Sequence, residues 1–309
     1  MGQSGAVAVH APEHADARLG ALLVLGAAVT WSFGGMIARY LQVADSWAIV
    51  SWRSCFASLF LLAFMLLREG PRGTRQLFVS MGWPGVGMGL CVALASASFV
   101  VALSHTTVAN ILLMQAGAPL IAALLGWALF RERVSGPTWA AILAVILGVA
   151  VMVSASSGGQ VSLLGNALAL LTTLCFTCAV LITRRFAHVR MMPAVCFGMA
   201  VAAIAGALMA HSLQASPRDM GLLFVFGALN LGLGMAFFVS GGPKVPASIV
   251  ALLSTLETVL GPIWVWLAHG ETPGARTLLG GVIVFGALLA HLLWQFSQRR
   301  GHVAVPMAD

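Results

Sequence analysis

Charge is scarce in this sequence. Only 8% of its 309 residues are Asp, Glu, Lys or Arg, against about 25% in an ordinary soluble domain. So few charges cannot coat a soluble fold of this length, which excludes a soluble enzyme and a disordered chain. Lysine and tyrosine are almost missing, with one residue of each, Lys244 and Tyr40. The five cysteines are an odd number, all lie in apolar runs, and imply no disulfide framework. Cys175 and Cys178 form a CxxC inside such a run and are expected to pack as small hydrophobes. There is no GxxxxGK[ST] phosphate loop, no HExxH zinc pair, and no pair of mid-run acids that could form a protease dyad. The histidines lack metal-ligand spacing. No ATP-driven step, metal or cofactor is expected, and an intramembrane enzyme is disfavoured.

Apolar residues take the remaining space. They make up 60% of the chain, and the mean hydropathy is +0.98. The class that fits is an all-α integral membrane protein, because lipid cannot satisfy exposed backbone groups. The net charge of +7 and pI near 10.1 then concern membrane orientation rather than nucleic acid. Residues 1–17 lack the basic start of a signal peptide, so the first apolar run is expected to be retained.

Spans of roughly 20 apolar residues, separated by Gly, Pro and charge, number ten in the expectation: 19–40, 46–67, 78–103, 107–130, 137–153, 163–183, 192–211, 220–240, 246–268 and 277–296. The loops leave no room for a soluble domain. With both termini cytoplasmic, twelve Lys and Arg fall on inside segments and three (Arg39, Arg218, Arg276) on outside loops. That bias agrees with the positive-inside rule. The organisation expected is a polar tail (1–18), two five-helix repeats (19–154 and 155–297) and a cytoplasmic tail (298–309). A shift of 139 residues brings Leu113 onto Leu252, Trp127 onto Trp266, Glu132 onto Glu271, Thr138 onto Thr277 and Val145 onto Val284. A shift of 145 brings Gly20 onto Gly165 and Arg39 onto Arg184. Five helices per half make the halves insert with opposite orientation, as in transporters that alternate access around a midplane site.

A set of residues could serve such a site. Glu257 is the one acid in the middle of a span, where a carboxylate is costly unless protonated, paired or facing water. It could hold a substrate amine or carry a proton. Alternatively it is a neutral carboxyl bonded to a neighbouring helix. Arg53 sits about seven residues into the second span, near enough to the outer face to snorkel. It is expected either to bond helix-end carbonyls or to contact a substrate carboxylate. Gln115 and Asn230 could bond a zwitterion or tie helices together, as could Asn110. Trp31, Phe99, Phe237 and Trp264 could line an aromatic pocket or simply pack. Pro84, Pro119 and Pro262 each remove a backbone donor, and are expected to be helix breaks or hinges. Gly85 to Gly89 contains a GxxxG for close helix contact, not a nucleotide loop.

Several of these residues fall in recurring short motifs. They are Trp31 to Gly34 (WSFG), Arg53, Ala116 to Pro119 (AGAP) with Phe130 to Arg133 (FRER), and in the second half Leu256 to Thr258 (LET) and Gly270 to Thr272 (GET). Their order across about 19–297 resembles the EamA branch of the drug/metabolite transporters. Thr258 stands where that family usually has Pro, with Pro262 one turn on. The resemblance implies a ten-helix, inverted-repeat exporter of small metabolites in a bacterial inner membrane. Within the family the chain looks most like the YddG-type amino-acid exporters, which favours apolar or aromatic amino acids as cargo. Other solute classes (nucleotide-sugars, phosphorylated sugars, cationic drugs) and a channel are the alternatives. The scarcity of cations within the spans speaks against phosphorylated cargo. The partners expected are a small molecule and the bilayer, without nucleic acid. One chain suffices for a pathway; proton coupling and dimerisation stay open.

Overall fold

The computed structural model describes residues 11–131, 134–154, 162–186, 190–245 and 247–301. Glu132 and Arg133, the ends of both tails, and Pro246 lie outside the described residues. Among the described residues every regular element is helical. In chain order they are α1 (Ala11–Ser32), α2 (Gly34–Tyr40), α3 (Ser46–Ser80), α4 (Gly82–Leu103), α5 (Val108–Ala116), α6 (Ala118–Phe130) and α7 (Gly136–Val153). Then follow α8 (Leu163–Arg185), α9 (Met191–Met209), α10 (Pro217–Phe224), a π-helical segment (Val225–Leu233), α11 (Gly234–Gly241), α12 (Ala247–His269) and α13 (Ala275–Gly301).

Among the described residues seven helices, some built from consecutive elements, are long and apolar enough to cross a membrane. The count is eight if the bent pair α5–α6 is one span. The difference from the ten expected falls at the C-terminal end, on α12 and on α13, whose apolar part Ala275–His291 is short.

The helix interruptions have local causes. Between α5 and α6 the axis turns by 47°. Pro119 has no N–H to give the Gln115 carbonyl, so the ladder stops at Gly117 and Pro119 opens the next helix. Between α1 and α2 no proline is present. Instead Thr30 Oγ1 donates to the Gly26 carbonyl at 2.6 Å and Ser32 Oγ to the Val29 carbonyl at 2.7 Å, bonds that bend helices. Asn230 then completes the break, giving its amide N–H groups to the Thr30 and Trp31 carbonyls at 2.5 and 3.3 Å. Asn230 belongs to the π segment, so two irregular backbones meet there. In α3 the chain kinks at Gly70 (φ 71°, ψ 175°), just before Pro71. That positive φ favours glycine.

Two expected breaks are corrected. Pro84 is the third residue of α4, where a missing N–H has no helical partner to lose, so it starts the helix rather than interrupting it. Pro262 lies within α12, which runs on through it to His269.

Small residues set the closest packing, as expected where lipid gives no hydrophobic drive between helices. The main helix partners are α4 with α8 and α9, α3 with α9, α7 with α13, and α1 with α11 and α12. At the α4–α9 crossing, a Cβ on Gly198 would run into the Gly89 carbonyl. At the α7–α13 crossing, Gly148 and Gly280 each face the other's backbone. Gly20 lies against Lys244 and Val245, and Gly165 against His105 and Thr106. Val145 and Val284 share one core cluster, and Trp127 and Trp266 are both exposed.

Candidate functional site

Three features stand out along the bundle: a tied seam at the Arg39 end, a layer of broken helices, and an open cleft at the Arg68 end.

The seam is built on Arg39, in the last turn of α2. Its guanidinium donates from Nε to Glu271 Oε2 at 2.8 Å, from Nη1 to the Leu103 carbonyl at 2.7 Å, and from Nη2 to the Thr106 carbonyl at 3.0 Å. The other carboxylate oxygen, Glu271 Oε1, accepts from Val108 N at 2.9 Å. That is the start of α5, where a carboxylate also complements the helix dipole. One ion pair therefore joins α2, the α4–α5 turn and the α12–α13 loop. The pair is part-buried, with side chains 28% and 16% exposed. Neither Arg39 nor Glu271 stands out as a site residue in the sequence alone. Arg39 counted as a loop charge, and Glu271 as the repeat partner of Glu132.

Asp45 ties the same end elsewhere. It caps α3 by accepting from Trp47 N at 2.9 Å and holds the α9–α10 loop by accepting from His211 N at 2.7 Å. Burial alone would raise its carboxyl; the His211 and Trp47 backbone donors outweigh burial and hold it below the ordinary aspartate value. The stabilisation is therefore present above the unfolded aspartate value and is lost as pH falls through the lower folded one. Asp45→Ala is expected to cost about 1–2 kcal/mol, read as a lower melting temperature in detergent at neutral pH. The gap should close on acidification.

The middle layer collects most of the residues expected at a site. Trp264 of α12 donates from Nε1 to Ser32 Oγ at 3.0 Å and stacks on Phe33 with centroids 5.0 Å apart. It braces the α1–α2 break. Trp31 lies against Gly234 and 5.5 Å from the Phe238 ring, with its buried indole N–H unpartnered. Phe237 faces Gly26 across the α1–α11 contact. Gln115 is half-buried in the last turn of α5, beside the Gly117 bend. Glu257 is half-buried on α12. It stands four and seven residues before Gly261 and Trp264, on the same helix face. Gly261 meets Leu112 of α5. Among the described residues no cation pairs with Glu257.

Asn110 falls outside this group. It is fully buried and donates to Thr106 Oγ1 at 3.0 Å and to Asn166 Oδ1 at 2.5 Å. Its amide ties α5 to α8.

Arg53 departs from its expected place at the interface. It is 5% exposed and reaches no helix-end carbonyl. Its Nη1 donates to Ser96 Oγ of α4 at 2.7 Å. The guanidinium lies 4.3 Å from the Phe226 ring centroid and 5.7 Å from that of Phe99. Phe99 thus borders Arg53.

The opposite end of the bundle is open. A cleft of about 640 Å³ is lined by Phe64, Met65, Arg68, Arg190, Met192 and Phe238, among others. Phe238 leads from it to Trp31. The polar ties among the described residues at this end are exposed: Arg68 to Ser240 at 3.4 Å, Arg68 to Glu69 at 3.6 Å, and Lys244 to Asp16 at 3.5 Å.

A helical membrane bundle with broken helices and a cleft at one end fits the architecture of a carrier. The EamA-like transporter family model matches residues 18–154 and again 163–293. The chain belongs to the EamA family of the drug/metabolite transporters. It is similar to the pseudopaline exporter CntI of two Pseudomonas aeruginosa strains, at 25% and 26% identity over 279 residues, 88% of this chain and 95% of each relative. A protein of known crystal structure shares the fold, with a TM-score of 0.63 over 89% of this chain and 97% of that one at 18% identity. The chain is thus a multi-pass membrane protein of bacterial type, and its family is one of transporters rather than enzymes.

Proposed function

We propose that this chain exports small organic metabolites by alternating access, with amino acids as the favoured cargo. The observation that carries the reading is the asymmetry of the bundle. The Arg39 end is tied by a four-bond ion-pair network, while the Arg68 end holds a cleft. On this reading the Arg68 end is cytoplasmic, both termini lie inside, and the structure is the state that loads cargo from the cytoplasm. Ten spans in two inverted five-helix halves are part of the same proposal. The double family match supports it. So do the paired environments of Gly20 and Gly165, which meet chain positions 139 residues apart.

The favoured cargo follows from the lining. Apolar side chains, Phe64, Met65, Met192 and Phe238 among them, share the cleft with Arg68, Glu69 and Arg190, and Phe238 leads on to Trp31. That suits an apolar body with a polar headgroup. The named relatives are pseudopaline exporters, so a cargo of that kind is the second reading. The test is counterflow in proteoliposomes loaded singly with a panel of amino acids. Exchange with apolar or aromatic members is expected. Exchange confined to other solutes would move the cargo to another class, and no exchange by a folded sample would remove the carrier reading.

A further inference from the structure

Arg53 is a buried cation without a counter-charge. Its residue is 5% exposed, and among the described residues no carboxylate forms an ion pair with it. A guanidinium carries five N–H donors, and here one side-chain bond, to Ser96 Oγ, is made. The Nε donor is buried and unpartnered. The faces of Phe226 and Phe99 offset part of the desolvation, but aromatic faces do not accept the in-plane N–H groups. An uncompensated charge in a membrane bundle is costly and marks a ligand or ion path.

The position agrees with that. The Phe226 ring under the guanidinium also borders Gly34, as does Asn230. Phe226 and Asn230 both belong to the π segment, a backbone form found frequently at functional sites. A second orphan donor, Trp31 Nε1, lies against Gly234, the first residue after the π segment. The layer therefore has unpaired donors on two sides, and among the described residues its one carboxyl, Glu257 of α12, pairs with no cation.

We propose that Arg53 is the anion-recognition residue of the transport site and that the cargo carries a carboxylate. Phe226 covers the guanidinium in the present state, and cargo reaches it by displacing that ring. This rests on the carrier reading above and sharpens its substrate class. Ser96 orients the guanidinium.

The test separates the two. Purified wild type, Arg53→Met and Arg53→Lys are melted in detergent without ligand. The same samples are then melted with matched probes: phenylacetate, phenylacetamide and phenethylamine. Counterflow of labelled L-phenylalanine is measured in parallel. A ligand-binding Arg53 predicts that ligand-free Arg53→Met melts no lower than wild type, because it sheds a buried unpaired charge. Phenylacetate should raise the wild-type melting point and the amide should not. Affinity for phenylacetate should fall about 10- to 100-fold in Arg53→Met, with partial recovery in Arg53→Lys. A large loss of melting temperature in ligand-free Arg53→Met would make Arg53 structural. Equal action of acid and amide, or action of neither, would equally overturn the proposal. Wild type that binds phenylacetate through Arg53 but shows no counterflow with any solute would remove the carrier reading and leave the anion site standing.

Discussion

Glu271→Gln is expected to open the Arg39 end of the molecule. The substitution keeps the size of the side chain and removes its charge. Arg39 then loses its counter-ion, and Val108 N at the start of α5 exchanges a charged acceptor for a neutral one. Hydrogen bonds to charged groups contribute about 1.5–3 kcal/mol, and the pair is shielded enough for that range to apply. If the network holds this end shut, a loss of about 2 kcal/mol shifts the balance of states roughly 30-fold. The readout is accessibility. Gln115→Cys, in a background whose five native cysteines are replaced, places a thiol below the seam. A membrane-impermeant thiol reagent applied from the Arg39 side should label it at least about tenfold faster after Glu271→Gln. Arg39→Met should do the same, and the double variant should be no faster than either single one. That non-additivity identifies one shared lock. Labelling at the parent rate in both single variants would mean that the pair is only a loop tie.

The sequence already disclosed the membrane class, because composition leaves no other solvent for so many apolar side chains. The helix positions followed from the same apolar runs. The α5–α6 bend was legible at Pro119, since a missing N–H is a local fact. The α1–α2 break was not. It has no proline, and it depends on an amide 200 residues away, at Asn230. The π segment left no local mark beyond a Gly-rich run. Pro84 misled because proline breaks a helix only where an N–H and a facing carbonyl would otherwise have met; Pro262 does remove such a bond, yet α12 runs on through it. The seam was hidden by distance along the chain. Arg39 and Glu271 are 232 residues apart, and each alone reads as a loop charge. Arg53 was visible as a buried-run cation, but its aromatic surroundings arise from three helices meeting. Local chemistry was thus readable, and pairings made by packing were not.

Glu257→Gln is the remaining large effect. Glu257 lies half-buried on the α12 face that carries Gly261 and Trp264, with no cation paired to it among the described residues. A mid-bundle carboxyl with no partner charge has two stable conditions: neutral, or ionised while facing water or a bound cation. Either one makes its charge state depend on what occupies the pathway. That is what a coupling group or an amine ligand requires, and a packing residue does not. Gln has the same shape and cannot ionise, so insertion and folding should be unchanged. Counterflow should fall by about tenfold or more if the lost contact is a charge-assisted hydrogen bond to an amine. If Glu257 carries a proton, wild-type net uptake should respond to a pH gradient, and Glu257→Gln should retain exchange while losing that response. The two roles are separable in one experiment, since exchange needs cargo binding but not proton movement. Exchange and gradient response both at wild-type levels would take Glu257 out of the mechanism and leave cargo recognition to the layer around Trp31 and Arg53.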